Sequence, residues 1–454
     1  MATARGILSY GAYLPFRRLD RAGIRPVAGT GGGTGTRTVA GYDEDTTTLG
    51  VAAARPALAA APGGVRPASL WFATVAPAYA DKTNATAVHA ALHLDAAAPA
   101  FDACGAVRSA VGTLRAGLAA ASAGEGPALV VAADVRTGLP GSADEAAGGD
   151  AGAALLVGSA DEGPLAAEVV GWGSATEEFL DRWRTPGDTR SRQWEERFGE
   201  QAYAALGARA WDDALKDAGV LGEQVDRVVV AAAHARAGAS LAKRLGVTDR
   251  VAPGLEATVG FAGAAHPALA LAAALDEAGP GETVALVVLA DGADVVLLRT
   301  TEALAAARPA RSVAAQVAAG GPIAYGTFLA WRGQLAVEPP RRPEPARPSA
   351  TAAARSREWK YALVDAEAGP RADATGTIAT FTIDRLAYSP SPPVVFAVVD
   401  LDGGAGRLPV ELTDVDAADV AIGDRVEMTF RRLFTADGIH NYFWKARPVR
   451  GEGG

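Results

Sequence analysis

Short apolar segments alternate with alanine-rich segments of helical periodicity through roughly the first 300 residues of the chain. Residues 69–75, 128–135 and 227–233 read SLWFATV, ALVVAADV and RVVVAAA, which is typical of strands buried on both faces of a sheet. Helices are predicted between such strands at 43–58, 84–94, 200–218 and 264–278, and Pro56 is expected to end or kink the first of them. The alternation predicts an α/β fold with a parallel sheet, and its recurrence in two halves of about 150 residues fits an internal duplication.

Two polar side chains stand where predicted strands end. Cys104 is the only cysteine of the 454 residues, and it separates a short apolar segment from a helical one. Unpaired N–H groups and the helix dipole at a helix N-terminus lower a thiol pKa and stabilise a thiolate. His234 directly follows the strand at 227–233, and active sites of open α/β sheets lie at such carboxyl ends. The alternatives are a small buried hydrophobe for Cys104 and a hydrogen-bonded core histidine for His234.

The composition argues against several classes of protein. The net charge is −9 and no basic patch is interleaved with aromatic residues, so nucleic acid is not an expected partner. No apolar run reaches the ~18 residues of a membrane span, and the N-terminus lacks the apolar region of a secretory signal. A single cysteine excludes an intramolecular disulfide and a cysteine-rich zinc site. We therefore expect a cytoplasmic protein without a metal, a cofactor or a membrane partner.

The chain changes character after residue 304. Residues 338–348 read EPPRRPEPARP, which favours an extended linker. Five short strands, separated by Gly, Pro and Asp turns, are then predicted at 376–383, 394–401, 408–412, 425–430 and 442–446. Five such strands indicate a small β-barrel. We expect four regions: two α/β halves at 1–160 and 161–304, a helix and linker at 305–374, and the barrel at 375–454.

Several segments of the first 300 residues carry a family resemblance. They include VAGYDEDTTTLGVAA at 39–53, DACGAVRSAVGTL at 102–114, AAAHARAGASLAKRLG at 231–246 and ADGADVVLL at 290–298. In this order they resemble the thiolase superfamily, and within it enzymes similar to 3-hydroxy-3-methylglutaryl-CoA synthase and 3-ketoacyl-acyl-carrier-protein synthase III. The C-terminal region resembles the OB-fold domain that often accompanies such enzymes, without its usual four-cysteine zinc ribbon. The resemblance implies a duplicated thiolase fold with αβαβα layers, followed by a small all-β OB-fold barrel.

The resemblance also implies roles for individual residues. Cys104 matches the acyl-accepting nucleophile of the family, and His234 matches its catalytic histidine. The turn at 291–293 resembles the glycine loop whose backbone N–H groups bind the thioester oxygen. The resemblance therefore places Gly292 and Ala293 beside the site.

Two positions depart from the family pattern. The general acid/base glutamate corresponds to Val75, which cannot exchange protons, and the asparagine that partners the histidine corresponds to Phe261. The loss of one oxyanion donor typically costs about two to three orders of magnitude in rate. His266 could substitute for that donor, although a histidine at a helix start is the simpler interpretation. Val75 and Phe261 both make the expected pocket more apolar, which suits a bulkier acyl group.

These residues favour an acyltransferase or condensing enzyme that takes an acyl group from a CoA or carrier-protein thioester onto Cys104 and passes it to an acceptor. We expect a specialised biosynthetic pathway. The expected partners are an acyl-carrier protein or a second thiolase-like subunit, and a second copy of the chain in a homodimer. One alternative is a thiolase-like carbon–carbon lyase that runs a retro-aldol or retro-Claisen step. The other is a non-catalytic acyl-CoA-binding scaffold, which the replacements at Val75 and Phe261 favour.

Overall fold

The computed structural model describes residues 3–188, 190–338, 342–365 and 369–450. A nine-stranded mixed sheet forms its centre, with β1 at Arg5–Tyr13, β2 at Ser69–Thr74, β3 at Ala100–Cys104, β4 at Ala128–Asp134, β5 at Ala151–Ser159, β6 at Ala167–Ala175, β7 at Arg227–Ala232, β8 at Thr283–Leu289 and β9 at Ala293–Thr300. The strands lie in the spatial order β7-β8-β9-β6-β1-β5-β4-β2-β3.

The sheet consists of two halves with the same pairing pattern. A parallel pair is followed by two antiparallel pairs in each half, as β2–β4, β4–β5 and β5–β1 and again as β7–β8, β8–β9 and β9–β6. The halves meet where β1 pairs with β6, through Gly6 with Glu168 and Ile7 with Ala167. The expected duplication is confirmed, but the sheet is mixed rather than parallel. The turn from β8 to β9 is too short for a crossover, so it produces an antiparallel pair.

Six main helices cover this sheet: α1 at Thr46–Ala59, α2 at Ala85–Ala91, α3 at Ser109–Ser122, α4 at Glu196–Ala218, α5 at Ala235–Leu245 and α6 at His266–Glu277. α3 and α6 lie between the two halves, where their apolar faces share one buried cluster with strands of both. α1 and α2 cover the outer face of the first half, and α4 and α5 cover that of the second. This αβαβα layering confirms the expected fold class. Helix α1 continues past Pro56 to Ala59, so Pro56 does not end it.

The C-terminal region forms a closed barrel, with β10 at Thr375–Asp384, β11 at Val394–Leu401, β12 at Arg407–Leu412, β13 at Arg425–Ala436 and β14 at Ile439–Pro448. The spatial order is β10-β11-β12-β14-β13. The β13–β14 hairpin is longer than the sequence predicts, because the two strands pair as far as Ala436 with Ile439. This barrel confirms the expected OB-fold.

Shorter elements connect these units. Short strands lie at Arg17–Asp20, Thr36–Val39, Arg182–Trp183, Arg192–Gln193, Gly321–Pro322, Val364–Asp365 and Gly369–Pro370. Short helices lie at Arg25–Ala28, Ala143–Ala147, Leu304–Ala307, Val313–Ala318, Tyr325–Trp331 and Ala350–Arg355. Within the described ranges, no helix is long and apolar enough to cross a membrane.

Buried charges join the barrel to the residues just before α1. Arg431 of β13 is 1% exposed and forms ion pairs with Glu44 and with Asp414, the latter at 2.8 Å. Lys445 of β14 is equally buried and lies 3.0 Å from Asp43. We refer to these five residues as the interface charge cluster. Burial alone would raise the pKa of Asp43, but Lys445 and Arg431 hold that pKa below its ordinary value.

Candidate active site

Cys104 is the last residue of β3 and pairs with Thr74 at the end of β2. The next residue, Gly105, donates its N–H to the Thr74 carbonyl at 3.1 Å and has a φ of +108°, which favours glycine. The chain thereby turns away from the sheet immediately after the cysteine. The thiol is free and exposed at the carboxyl end of its strand, as the sequence predicts.

The expected effect of the helix on the thiol is wrong. α3 begins only at Ser109, so its first-turn N–H groups do not follow Cys104 directly. Partial burial raises the pKa of the Cys104 thiol, and the negative charges of Asp102 and Asp134 raise it further. The resting group is therefore a thiol, and a base must take its proton before it can attack a thioester.

This raised pKa predicts the pH profile of alkylation. We expect the rate of Cys104 modification by iodoacetamide to rise about tenfold per pH unit from neutral pH to beyond about pH 9, because only the thiolate reacts. Intact-protein mass measures the rate without ambiguity, since the chain has no other cysteine. Glutathione alkylated in parallel is the reference. A rate that levels off near neutral pH would show that a thiolate is already formed.

Arg108 fastens the turn after Cys104 to the start of β9. Its Nε donates to Asp294 Oδ2 at 2.7 Å, and its Nη1 donates to the Asp291 carbonyl at 2.9 Å. Gly292 lies directly beneath the guanidinium at a φ of +128°, and a Cβ there would come within 2.5 Å of Nη1. The glycine loop expected to bind the thioester oxygen is thus held against the cysteine turn. Sequence reasoning missed this arginine.

The contact predicts a loss of acyl transfer in Arg108→Met. We expect the acylation rate of Cys104 to fall about a hundredfold, because the cysteine turn and the glycine loop lose the side chain that holds them together. A shift of about 1 Å between reacting groups is enough to lower a rate by that factor. Arg115→Met is the matched control. Arg115 lies on α3 and its guanidinium packs over the Trp172 ring, away from the glycine loop. Stopped-flow acylation followed by quenched mass analysis would measure both variants. Equal rates would contradict the anchoring role.

His234 is 3% exposed and caps the N-terminus of α5. Its Nδ1 accepts from the Ala237 N–H at 3.1 Å, and its Nε2 donates to the Glu196 carbonyl at 2.7 Å. Tyr203 connects it to the glycine loop, since the Tyr203 ring centre lies 6.5 Å from that of His234 and the Tyr203 hydroxyl accepts from the Asp291 N–H at 3.3 Å. Both ring nitrogens are therefore occupied by backbone groups in the resting protein.

Val75 directly follows Thr74, the residue that pairs with Cys104, and Ala293 directly follows Gly292 of the loop that Arg108 contacts. Ala293 begins β9 and is fully buried. Val75 directly follows β2, and its N–H donates to Asp134 Oδ1 at 2.8 Å. Asp134, at the end of β4, also accepts from the Thr74 hydroxyl at 2.7 Å and from the Ala264 N–H. Burial raises the pKa of Asp134.

Phe261 lies three residues before Ala264 and is 8% exposed. Its ring packs against His266, with the ring centres 4.6 Å apart. His266 begins α6, and its Nδ1 accepts from the Ala262 N–H at 3.3 Å. His266 is 1% exposed and its Nε2 lies 3.4 Å from Glu256 Oε1, so neither ring nitrogen is free for a substrate.

Hydrogen bonds therefore connect the segments that carry five of the six candidate residues. Asp134 connects Val75 with the segment that carries Phe261, and Arg108 connects the Cys104 turn with the loop of Gly292 and Ala293. His234 lies outside this network and approaches it only through its ring contact with Tyr203. Asp134 ends an apolar strand in the sequence, so a search for polar residues at strand ends would have found it; Tyr203 lies in mid-helix and carries no such signal.

Comparison with known proteins finds relatives for both parts of the chain. The family model described as "ChsH2, C-terminal OB-fold domain" matches residues 360–431. Hydroxymethylglutaryl-CoA synthase of Pyrococcus furiosus is 31% identical over 302 residues, which cover 63% of this chain and 83% of the relative. The Aeropyrum pernix enzyme of the same name is 30% identical over 350 residues, covering 74% and 96%.

Solved structures agree at the level of the fold. The 3-oxoacyl-(acyl carrier protein) synthase III of Pseudomonas aeruginosa superposes with a TM-score of 0.56 at 25% identity. The superposition covers 66% of this chain and 99% of the synthase. The HMG synthase of the curacin biosynthetic pathway, in complex with apo donor-ACP, gives 0.62 at 18% identity, covering 72% and 88%.

The layered fold and the similarity to these synthases define an acyl-transferring condensing enzyme of the thiolase fold. Such enzymes divide into families that differ in donor and acceptor. The identity of 30–31% extends over 83% of the Pyrococcus furiosus enzyme and 96% of the Aeropyrum pernix enzyme. The chain belongs to the hydroxymethylglutaryl-CoA synthase family.

Proposed function

We propose that the protein takes an acyl group from a CoA or carrier-protein thioester onto Cys104 and passes it to an acceptor in a specialised biosynthetic pathway. The observation that carries this proposal is the exposed thiol on a turn that Arg108 holds against the glycine loop. The exposed thiol gives its proton to solvent water. The thiolate then attacks the donor carbonyl, and backbone N–H groups of Cys104 and the glycine loop bind the oxyanion. Collapse expels the donor thiolate, which takes up a proton, and leaves a thioester on Cys104.

His234 stabilises the developing negative charge in this proposal. Its Nε2–H leaves the Glu196 carbonyl when the thioester binds and donates a hydrogen bond to the developing oxyanion or to the leaving thiolate. Nδ1 keeps its bond to the Ala237 N–H, which holds the ring in the same tautomer. Helix α5 therefore orients the His234 ring, and Nε2 remains available to the reacting group.

Paired variants separate these two tasks of His234. Asn is a good helix cap, so His234→Asn keeps an acceptor for the Ala237 N–H but loses Nε2. We expect its acylation rate to fall about a hundredfold while its thermal midpoint hardly changes. His234→Ala loses the cap as well and is about 1 kcal/mol less stable than His234→Asn. Thermal unfolding and quenched mass analysis test both variants. A normal acylation rate in His234→Asn would contradict the proposed hydrogen bond from Nε2 to the reacting group.

The replaced positions narrow the choice of acceptor. Val75 has no proton to exchange, and Phe261 stacks on His266 where an amide is expected. The site is therefore poorly equipped to generate a carbanion. We propose that the acceptor arrives already activated or attacks through oxygen or nitrogen, and that the apolar pocket takes longer or aromatic acyl groups.

Partners follow from the same reasoning. Solved neighbours include an HMG-CoA synthase complexed with CoA and an HMG synthase in complex with acetyl donor-ACP. We propose a CoA thioester or an acyl-carrier protein as donor, a homodimer as the assembly, the cytoplasm as the location, and a reaction that needs no further cofactor.

Intact-protein mass after incubation with a panel of acyl-CoA and acyl-carrier thioesters tests the proposal. A gain of one acyl group that hydroxylamine removes identifies a thioester, and the single cysteine assigns it to Cys104. A preference for acetyl over longer and aromatic groups would contradict the apolar pocket. No adduct with any donor would refute the transferase, and a thioester released from a larger substrate without an adduct would then identify a carbon–carbon lyase.

A further inference from the structure

Arg136 is a buried arginine that has no anionic partner among the described residues. It lies two residues beyond the end of β4 and is 8% exposed. Within the described ranges, its guanidinium forms no ion pair with a carboxylate and no hydrogen bond. Burial lowers the pKa of Arg136, and the positive charge of Arg182 lowers it further. A buried charge without a partner is costly, so this side chain favours the binding of an anion.

The backbone of Arg136, in contrast, is held on both sides. Its N–H donates to Asp150 Oδ1 at 2.7 Å, and its carbonyl accepts from Arg37 Nη2 at 2.8 Å. Asp150 is fully buried and forms ion pairs with Arg37, at 3.3 Å, and with Arg332. Two other arginines therefore neutralise Asp150. The base of the Arg136 side chain is fixed, while its charged end is left for a ligand.

Arg136 lies beside the segments that carry both replaced positions of the candidate site. A Cβ placed on Gly148 would come within 3.0 Å of the Arg136 Cβ, and Gly148 forms a β-bridge with Phe261. The positive charge of Arg136 acts on Asp134, which accepts from the Val75 N–H at 2.8 Å. The arginine therefore supplies a charge next to two positions where apolar side chains stand in place of the expected polar ones.

A second arginine approaches the same place from the segment between β6 and α4. Arg184 Nη2 donates to the Val75 carbonyl, and in the described part of the chain Arg184 forms no ion pair with a carboxylate. Arg182 of the same segment pairs with Asp144. The positive charges of Arg182 and Arg184 both act on Arg136. Since Asp144 already has a cation, Arg136 and Arg184 are left with charge for a ligand.

Asp134 lies near both Arg136 and the nucleophile. Burial raises the pKa of Asp134, and the positive charge of Arg136 opposes that rise. Burial and the charge of Asp102, followed by that of Asp134, raise the pKa of the Cys104 thiol. Asp134 also accepts from the Thr74 hydroxyl at 2.7 Å, and Thr74 pairs with Cys104. A ligand whose charged end lies at Arg136 can therefore extend to the thiol.

We propose that Arg136, with Arg184 beside it, binds a free carboxylate of the substrate, carried by the acyl group or by the acceptor; this inference rests on the proposed function. A guanidinium binds a carboxylate through two parallel N–H···O bonds. Arginine stays protonated in proteins, so Arg136 selects the substrate and does not exchange protons with it. A neutral substrate leaves the buried charge unpaired and is disfavoured.

Alkylation of Cys104 tests the inference without any acyl transfer. The probes are N-bromoacetyl derivatives of glycine, β-alanine, 4-aminobutyrate and 6-aminohexanoate, each compared with the corresponding primary amide. The thiolate displaces bromide and forms a thioether, which intact-protein mass assigns to the single cysteine. At the chain length that spans the two groups, the carboxylate should react about tenfold faster than its amide, because the guanidinium binds it before the thiol reacts.

Variants of Arg136 separate binding from a structural role. Arg136→Gln should reduce this rate ratio to about 1 and leave the amide rates unchanged. Arg136→Lys keeps the charge but not the fork of N–H groups, so its ratio should be intermediate. Arg209→Gln removes an exposed arginine of α4 and should keep the full ratio. The thermal midpoint of Arg136→Gln should equal or exceed that of the wild type, since an unpaired buried charge is removed, whereas loss of a structural arginine would lower it.

Several outcomes overturn the inference. Equal rates for carboxylates and amides at every chain length in the wild type would exclude an anion site within reach of Cys104. A rate ratio that survives in Arg136→Gln would exclude Arg136 as the binding group. Amide rates that fall together with the carboxylate rates, with a lowered thermal midpoint, would show that Arg136 is structural. Failure of Cys104 to take up an acyl group refutes the proposed transferase but leaves these alkylation rates measurable.

Two further measurements identify the source of the carboxylate. Succinyl-CoA that acylates Cys104 faster than butyryl-CoA in the wild type, but not in Arg136→Gln, would place the carboxylate on the acyl group. An acyl-enzyme that glycine or 4-aminobutyrate discharges faster than their amides do, again only in the wild type, would place it on the acceptor. Rates that do not depend on Arg136 in either measurement would overturn its role in substrate selection.

Discussion

Cys104→Ala should lower acyl transfer by at least about a thousandfold, because the acyl-enzyme cannot form without the thiol and removal of a nucleophile typically costs that much or more. No other thiol can replace it, since the chain has no second cysteine. The side chain is exposed, so its loss should change stability by less than about 0.5 kcal/mol. Steady-state transfer with the donor identified by mass analysis is the measurement.

Cys104→Ser is the matched control for this variant. It keeps the size of the side chain but offers a hydroxyl whose pKa is too high for attack, so it should be nearly as inactive as the alanine variant. If Cys104→Ala turned over substrate at the wild-type rate, the acyl-enzyme mechanism would be excluded. A lyase that does not use the cysteine would then explain the activity.

Arg431→Met should destabilise the protein by about 3–5 kcal/mol, because it leaves buried carboxylates without their cation. Glu44 and Asp414 both form ion pairs with Arg431, and the Tyr13 hydroxyl accepts from it at 3.2 Å. Burial already raises the pKa of Asp414, and the negative charge of Asp43 raises it further. Without Arg431, the folded-state pKa values of the Glu44 and Asp414 carboxyl groups rise. The loss of stability relative to the wild type should therefore grow as the pH rises through these pKa values, and it should shrink in acid.

Arg407→Met provides the comparison. Arg407 pairs with Asp400 on the barrel surface, where their side chains are 70% and 48% exposed, so its removal should cost less than about 1 kcal/mol. Urea unfolding of both variants at pH 5 and pH 8, followed by tryptophan fluorescence, gives the two differences. If Arg431→Met cost no more than Arg407→Met, the interface charge cluster would not hold the barrel to the body.

Most of the fold could be predicted from the sequence, because each strand or helix depends mainly on the pattern of residues within its own segment. Apolar runs such as 128–135 and 227–233 became β4 and β7 almost residue for residue, and five short strands became the barrel. The position of Cys104 at a strand end was predictable for the same reason. The start of α3 was not, because Gly105 with its positive φ and the turn behind it delay the helix to Ser109.

Contacts between distant segments could not be predicted. Arg431 and Glu44 form a buried ion pair although they are nearly a whole chain length apart. The sequence around either residue gives no sign of the other as its partner. Arg108 is one of many arginines in the sequence, and only the folded chain places it over Gly292. His234 was placed correctly at a strand end, yet its bond to the Glu196 carbonyl depends on how α4 meets α5.

The shared layer of α3 and α6 has a consequence for biosynthesis on the ribosome. The buried cluster between the half-sheets draws on residues from Ile7 to Val313, so the first half emerges from the exit tunnel with one apolar face uncovered. That face is covered only when α6 and the strands after it have been translated. The nascent chain therefore exposes this apolar face for the time that synthesis of the second half takes. Its aggregation in the cell should depend on the elongation rate as well as on the stability of the finished protein.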